Sequence, residues 1–324
     1  MAELTFTVTL EESGERLDLV LAERLPDLSR NQIQRGFAQG QATVDGRPRT
    51  KAYRVDVGEQ VVFPVPTLTA AAAVPEPIPL NIVYADDDLV IVDKPAGLVT
   101  HPAPGHSTGT LVNALLYHCR GLASTGDPLR PGLVHRLDRD TSGLRAVALC
   151  QRALKSLAAQ LKDRTLGRTY LALSWGAWPE DAGTLSGDMG RHPRDRQRMA
   201  VVERGGREAI THYEVVDDLS FVQLCRVKLA TGRTHQIRVH FTHHGHPVVG
   251  DPVYGDDRRA LNVRPVDRSA ATRLIKGLPR QFLHAAELER RHPADGRLLT
   301  VTAPLPPELA GPLERLHADV AATA

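Results

Sequence analysis

The sequence predicts a small α/β domain followed by a larger α+β domain built on a mainly antiparallel mixed sheet. A chain of 324 residues suffices for about two domains. Residues 64–80, PVPTLTAAAAVPEPIPL, hold five prolines, a run of alanines and one charge, which is typical of an extended linker. After residue 81, strands follow one another through short turns without strict alternation with helices. We therefore predict domains at 1–65 and 81–324, joined by a linker at 66–80.

Composition excludes several classes of protein. With 42% hydrophobic and 24% charged residues and a net charge of +2, the chain is neither disordered nor fibrous. It shows no signal peptide and no apolar run of membrane-spanning length. Its three cysteines, Cys119, Cys150 and Cys225, lack metal-type spacing and cannot all pair, which indicates a reducing compartment. We expect a cytoplasmic protein without a membrane segment.

Arginine dominates the basic residues: of 40 lysines and arginines, six are lysines. Codon bias explains this as well as phosphate recognition does, since a planar guanidinium suits phosphate. Only the positions of the arginines can decide between the two explanations.

The first domain combines a short helix and a hairpin. Ser29 to Gln32 forms a capping-box pattern for a helix that buries Ile33 and Phe37. A strand then enters an Asp45-Gly46 hairpin turn. Residues 30–54 carry a net charge of +5, which fits RNA-backbone binding by Arg30, Arg35 and Arg47. A solvated basic surface is the competing interpretation.

The second domain begins with a predicted hairpin, Ile82–Ala85 and Leu89–Asp93, around three aspartates. Apolar spacing predicts helices near Leu111–Leu115 and Leu154–Leu161, the second burying Leu154, Leu157, Ala158 and Leu161. A further helix starts near Leu309. The predicted strands are Leu144–Leu149, Thr169–Ser174, His212–Val216 and Val222–Leu229.

The densest polar segment, His135-Arg-Leu-Asp138-Arg-Asp140-Thr-Ser-Gly-Leu144, forms a loop that runs into a strand. Such loops commonly hold functional side chains. Asp138 and Asp140 resemble a glycosidase carboxylate pair, but two residues apart on one loop they need not face one substrate. Either could instead bind Arg139 or cap a turn.

A second segment, Thr231–Phe241, passes from a strand through a glycine turn into a predicted helix. His235 and Arg238 share one face of that helix, and Arg238 is placed to reach a carboxylate on a neighbouring loop and keep it charged. Five histidines lie between residues 235 and 246. We reject a metal site there, because no HExxH motif or nearby cysteine accompanies them.

Two more segments complete the set. Tyr170 and Ala172 share one face of the strand Gly167–Leu173, where a tyrosine alone is most simply a core residue. Residues 191–207 hold six arginines against two acidic residues, so we predict that Arg191, Arg194 and Arg196 contact nucleic acid.

Together these segments resemble the RluA family of pseudouridine synthases. His135–Leu144 resembles its HRLDxxTSGL motif, Arg168–Ala172 its KxYxA strand with arginine for lysine, and Thr231–His240 its TGRTHQIRVH motif. Asn81–Pro104 is similar to the opening hairpin of the family. Residues 16–46 resemble an S4 RNA-binding domain, with Ala42 and Asp45 in place of the usual valine and asparagine. The branch most similar is the RluD type, which modifies large-subunit ribosomal RNA.

The resemblance implies roles for single residues. Asp138 is then the catalytic aspartate, Tyr170 the active-site tyrosine, and Arg238 the arginine that pairs with the aspartate. Arg136 and its neighbour His135 contact the RNA substrate, with Arg136 helping to displace the target base. The family reaction breaks the N1–C1′ bond of uridine, turns the base and rejoins it through C5, so no cofactor or metal is implied.

Other readings remain open at this level. A silent RNA-binding assembly factor needs the same fold but not the intact Asp138, Tyr170 and Arg238, and a nucleoside hydrolase would release free uracil. Whether Asp138 attacks C1′ or removes the C2′ proton is also open. Arg145 departs from the apolar strand usual in the family and needs an exit to solvent or a partner. We expect a monomer acting on RNA.

Overall fold

The computed structural model describes residues 3–25, 33–34, 36–37, 42–65, 73–101, 108–119, 121–122, 130–195 and 198–322. The chain forms two compact units, Met1–Ala72 and Ala73–Ala324. No helix in the described part combines the length and the apolar character that crossing a bilayer requires. Residues 66–72 of the predicted linker lie outside the described residues.

The first unit is a four-stranded sheet on which helical segments pack. Its strands β1 to β4 lie in the order β1-β4-β2-β3, and helix α1 follows β1. The bounds are β1 Glu3–Thr7, α1 Leu17–Arg24, β2 Thr43–Val44, β3 Arg47–Pro48 and β4 Gln60–Pro64. The predicted hairpin is confirmed, since Asp45 and Gly46 both adopt positive φ, at 49° and 74°, as a tight turn between β2 and β3 requires.

The core of this unit joins the helix to the sheet. Leu17 and Leu21 of α1 pack against Val61 and Phe63 of β4, together with the fully buried Ile33. Ile33 and Phe37 are helical and lie in this core, as their spacing predicts. The predicted cap, Ser29 to Gln32, lies outside the described residues.

The second unit is built on one ten-stranded sheet. Nine strands lie in the order β10-β9-β11-β12-β8-β13-β7-β6-β5, and β14 pairs with β13. Among the strands of the described residues, β13 and β7 alone pair in parallel, so the predicted mainly antiparallel mixed sheet is confirmed. The strands are β5 Asn81–Ala85, β6 Leu89–Lys94, β7 Ser142–Ala148, β8 Gly167–Trp175, β9 Ala182–Arg191, β10 Met199–Val201, β11 Arg207–Asp218, β12 Val222–Leu229, β13 Leu283–Arg291 and β14 Leu298–Thr302.

In the described part of this unit, five α-helices accompany the sheet. They are α2 Leu111–His118, α3 Gln151–Lys162, α4 Gln236–His243, α5 Arg268–Gly277 and α6 Pro307–Ala321. Helix α2 packs on Val90 and Val92 of β6, whereas α3 packs with Leu89 and Ile91, so these two helices lie on opposite faces. The α3 prediction is wrong in one detail: Ala158 is exposed, because Ala153 takes its place on the buried face.

Gly143 allows two strands to meet beside the polar loop. Its φ is 112°, and a Cβ at this position would lie 2.3 Å from the carbonyl oxygen of Ala285 in β13. Glycine therefore lets β7 approach β13 at the end of the 135–142 loop. Beyond this point the two strands separate, and the segment that precedes the loop pairs with β7 through a bridge between Leu133 and Val147.

Candidate active site

The polar loop is held rigidly through its backbone. Four successive carbonyl groups each accept at least one hydrogen bond. The carbonyl of Leu137 accepts from Thr100 Oγ1 at 3.0 Å, and that of Asp138 accepts from Thr141 N at 3.2 Å. The carbonyl of Arg139 accepts from Gly97 N at 3.0 Å and from Lys94 Nζ at 2.9 Å. The carbonyl of Asp140 accepts from Arg280 Nη1 at 3.1 Å. A loop fixed at four successive carbonyl groups presents its side chains in one orientation, as a preorganised site requires.

Lys94 is the least obvious of these supports. It is fully buried, and its ammonium also donates to the carbonyls of Pro95 and Leu98, at 2.8 and 3.1 Å. Burial, together with the charges of Arg145 and Arg280, lowers its pKa to about 7. Sequence analysis missed Lys94, since a lysine next to proline on a strand carries no distinctive spacing.

The two aspartates of the loop have different surroundings. Asp140 pairs with its exposed neighbour Arg139 at 2.9 Å, which is one of the open alternatives. Asp138 points into a cleft, and its side chain is 15% exposed. The carboxylates do not form a glycosidase-type pair, and Asp138 alone is presented to a substrate.

Arg238 joins Asp138 to a second, unpredicted carboxylate. Its Nη1 lies 3.2 Å from Asp138 Oδ2, the contact that the sequence predicts. Its Nε and Nη2 donate to Asp251 at 2.6 and 2.7 Å, a bidentate pair in which the Asp251 side chain is fully buried. Burial would raise the pKa of Asp251, but Arg238 outweighs that effect and the pKa is lowered. Arg238 is therefore fixed before any substrate binds.

Asp251 is a site residue that sequence analysis missed. It lies in a loop between Val249 and Tyr254, and its Oδ1 also accepts the backbone N–H groups of Val253 and Tyr254. A Gly-Asp-Pro turn after two valines is the only sequence signal, and it is too common to identify a carboxylate that faces an arginine.

The start of helix α4 aims Arg238. His235 adopts a left-handed conformation, with φ of 58°, immediately before the helix. The amide of Gln236 accepts from Thr231 Oγ1 and Arg233 N, and it donates to Ile210 O and Thr211 Oγ1 of β11. These four bonds fix the first turn of α4 on the sheet.

His235 lies on the other side of the Asp138 carboxylate. Its Nε2 is 3.9 Å from Asp138 Oδ1, and its Nδ1 is 2.8 Å from the Tyr254 hydroxyl. Burial lowers the pKa of His235 against the opposing effect of Asp138. A neutral imidazole leaves Arg238 as the cation that neutralises Asp138 at pH 7.

Tyr170 forms part of the floor of the cleft. Its ring belongs to the core cluster with Leu137, Ile237 and Leu283, and only 5% of the residue is exposed. Burial raises the pKa of its hydroxyl. Among the described residues, none hydrogen-bonds to that hydroxyl, in contrast to a purely structural core tyrosine.

The cleft has a volume of about 580 Å³ and a strongly positive lining. Asp138 is its one acidic lining residue among those described. Nine cationic side chains line it: Arg130, Arg136, Lys162, Arg145, Arg164, Arg168, Arg207, Arg233 and Arg238. Position thus favours phosphate recognition for the exposed arginines of this set, Arg130, Arg136, Arg164 and Arg207, most of which sequence analysis did not select.

The residues predicted to bind RNA fall into three groups. His135 and Arg136 line the cleft, with Arg136 exposed. Arg47, Arg191 and Arg194 are exposed on a hairpin or at or near a strand end, and they are not among the residues that line the cleft. The other three, Arg30, Arg35 and Arg196, lie outside the described residues.

The histidine-rich segment serves packing. His240 Nδ1 lies 2.9 Å from Thr211 Oγ1, and His246 stacks on Trp178 with ring centroids 4.1 Å apart. His243 and His244 are exposed. Within the described ranges, no three His, Cys, Asp or Glu side chains are grouped to hold a metal ion.

Comparison with known proteins decides the family. A family model described as RNA pseudouridylate synthase matches residues 88–243, which include the 135–144 loop and helix α4. An S4 domain model matches residues 15–61. An uncharacterized RNA pseudouridine synthase of Chloroflexus aurantiacus is 47% identical over 315 residues, which cover 97% of this chain and 94% of that protein. The chain belongs to the RNA pseudouridylate synthase family.

Two further relatives of the synthase support this assignment. The ribosomal large subunit pseudouridine synthase D of Pseudomonas aeruginosa is 41% identical over 319 residues, covering 98% of this chain and 97% of that protein. Among solved structures, human RNA pseudouridylate synthase domain containing 1 aligns with a TM-score of 0.54 and 28% identity, over 75% of this chain and 95% of that one. The chain is an RNA pseudouridine synthase with an S4 domain ahead of its catalytic unit.

Proposed function

We propose that this synthase converts specific uridines of large-subunit ribosomal RNA to pseudouridine, with Asp138 as the catalytic carboxylate. One observation carries the proposal: Asp138 projects from a loop held at four successive carbonyl groups, 3.2 Å from Arg238, into a cleft lined by nine cations. The name of the Pseudomonas aeruginosa relative supports the choice of RNA.

Asp138 acts at the sugar of the target uridine. The N1–C1′ bond breaks and a C5–C1′ bond forms, while C5 loses a proton and N1 gains one. A carboxylate serves this exchange as a nucleophile at C1′ or as a base at C2′. Arg238 pairs with this carboxylate at 3.2 Å, and Asp251 holds the guanidinium in place. These residues supply the chemistry without a cofactor.

Tyr170 and Arg136 act on the base. The Tyr170 ring offers a stacking surface for the uracil, and its unbonded hydroxyl is available for proton transfer from C5. Because the base must leave its stack, at a cost of a few kcal/mol, loops and bulges are the favoured targets. Arg136, exposed at the cleft, fills the space that the extruded base leaves.

The S4 domain supplies RNA affinity. Arg47, Lys51 and Arg54 are exposed on or near its hairpin. Deleting residues 1–66 is expected to weaken binding of long RNA and to flatten the dependence of log affinity on log salt by roughly three to four units, if about four cations contact phosphate. Single-turnover rate at saturating RNA is expected to change little. An unchanged affinity and salt slope would mean that the basic face is only solvated.

The decisive experiment maps pseudouridines in ribosomal RNA from cells with and without the gene. We expect one or more large-subunit sites to disappear on deletion and to return with the wild-type gene but not with Asp138→Asn. If every site persists in the deletion strain and the purified enzyme converts no uridine of that RNA, the proposal is wrong. If ribosome assembly is nevertheless defective in the deletion strain, the alternative of a catalytically inactive RNA-binding assembly factor replaces it.

A further inference from the structure

Arg145 is a buried cation in the floor of the active-site cleft. It lies in the middle of β7, is 1% exposed and lines the same cleft as Asp138 and Tyr170. Its Nη2 donates to the carbonyl oxygen of His135. Its Nε and Nη1 are buried and have no hydrogen-bond partner in the described structure.

The Arg145 guanidinium has no carboxylate to neutralise it among the described residues. Burial lowers its pKa to about 9, and the charged or ionisable groups around it include Tyr170 and three further cations, Arg136, Arg130 and Lys94. It is still charged at pH 7. An unpaired buried charge with two unused donors is costly, and a ligand with acceptor atoms removes that cost when it binds.

Depth within the cleft distinguishes a base from a phosphate as that ligand. Arg130, Arg136 and Arg164 are exposed at the rim, where the charged backbone of an RNA strand stays partly hydrated. Arg145 lies on the floor with Tyr170, the surface on which an extruded base stacks. The group that reaches this depth is the base, and its acceptors are carbonyl oxygens.

We propose that Arg145 reads the target base by donating from one of these two nitrogens, Nε or Nη1, to a carbonyl oxygen of uracil. The proposal rests on the proposed function, because it requires a uridine extruded into this cleft. It makes Arg145 a specificity-determining residue of the synthase.

The symmetry of uracil suits such a contact. Turning the ring by half a revolution about its N3–C6 axis exchanges N1 with C5, and it also exchanges the two carbonyl groups. A guanidinium bonded to O4 of the substrate thus meets O2 of the turned base at the same position. The contact is kept before and after the rearrangement, so it holds the detached base without opposing its rotation.

Cytosine cannot satisfy the same donors in both positions. Its C4 amino group would place N–H donors against the N–H donors of Arg145. A site built on hydrogen bonds rejects an analogue with the wrong polarity strongly, because its own buried groups are left unpaired. Arg145 therefore excludes cytidine as well as holding uridine.

The test compares RNA stem-loops taken around a mapped target site, carrying uridine, cytidine or an abasic residue at that position. Affinities are measured with full-length Asp138→Asn enzyme, with and without Arg145→Met. We expect uridine to be preferred over cytidine by roughly 10- to 100-fold with Arg145 present, and by less than about threefold in its absence. The abasic RNA should bind equally well to both proteins.

Arg130→Met is the matched control at the rim, and it is expected to lower the affinity for all three RNAs by the same factor. Thermal unfolding checks that each variant folds, and Arg145→Lys, which keeps the charge with fewer donors, is expected to give an intermediate ratio. An unchanged ratio in folded Arg145→Met overturns the proposal, as does an equal loss of affinity for the abasic RNA, which would assign Arg145 to a phosphate. If wild-type enzyme forms no pseudouridine, the proposed function itself has failed.

Discussion

Two arginines lie buried in one cleft and differ in what surrounds them. Arg238 contacts two carboxylates, Asp138 and Asp251, and three of its nitrogens have partners. Arg145 contacts one backbone carbonyl and leaves two nitrogens without partners in the described structure. The Arg238 guanidinium has its hydrogen-bond partners in the free protein, whereas the Arg145 guanidinium has donors that are left for a ligand.

The difference separates two tasks within the active site. A group that must hold a catalytic charge is needed before the substrate arrives, so the fold supplies its partners. A group that reads the substrate must keep its donors free. If the two proposals hold, one arginine of the cleft serves preorganisation and the other serves selection, and mutation should affect the two in different ways.

Asp138→Asn is expected to have the largest effect. Asparagine is nearly isosteric, but it is a poor nucleophile and a poor base, so turnover should be abolished while RNA binding survives. Single-turnover pseudouridine formation and an RNA-binding titration measure the two quantities. Turnover within tenfold of wild type would remove Asp138 from the catalytic role.

Replacing each arginine by methionine tests directly whether the two side chains contribute differently to stability. Arg238→Met leaves Asp251 buried without its cation, which is expected to cost about 3–5 kcal/mol in the free energy of unfolding. Arg145→Met removes an unpaired buried charge and is expected to leave stability unchanged or to raise it. Urea unfolding of both variants gives the values. Equal destabilisation by the two substitutions would mean that Arg145 is a structural residue like Arg238.

Tyr170→Phe sharpens the account of the cleft floor. The variant keeps the stacking ring and loses the hydroxyl, so we expect little change in RNA affinity and a loss of roughly 100-fold in single-turnover rate. Full activity would limit Tyr170 to stacking and would exclude it from proton transfer.

Asp251→Asn tests how Arg238 is held. We expect a loss of about 1–3 kcal/mol in stability at pH 7 and a roughly tenfold slower reaction, because Arg238 retains only Asp138. The pKa of Asp251 is lowered from 3.8 in the folded protein, so its stabilisation is present above that value and disappears as the pH falls through the lowered pKa. The stability difference between wild type and variant should therefore narrow below about pH 4. A constant difference down to acid unfolding would show that the charge of Asp251 is not what matters.

The sequence predicts those parts of the site that are local in the chain. The 135–144 loop, the strand of Tyr170 and helix α4 follow from polar density, alternation and helical spacing, and their order along the chain matches a known family. The contact of Arg238 with Asp138 spans 100 positions and was expected from the family resemblance together with the placement of Arg238 at the start of a helix.

Residues whose roles depend on burial beside distant partners cannot be identified from such local patterns. Asp251, Lys94 and the cleft cations gain their importance from distant partners, and one aspartate in a loop or one lysine on a strand looks the same in either environment. The departure at Arg145 was visible in the sequence, but its two unpartnered nitrogens appear only when the loop and β7 are placed side by side. The order of motifs along the chain therefore predicts the protein family better than it predicts the surroundings of a single side chain.

The most direct test of the account is nucleoside analysis of large-subunit ribosomal RNA, taken from the deletion strain and incubated with the purified full-length enzyme. We predict that pseudouridine appears and uridine declines by the same amount, with no free uracil and no dependence on added metal or nucleotide cofactor. Asp138→Asn, tested in parallel, should leave the RNA unchanged. Release of free uracil, or pseudouridine formed equally well by Asp138→Asn, would contradict the account.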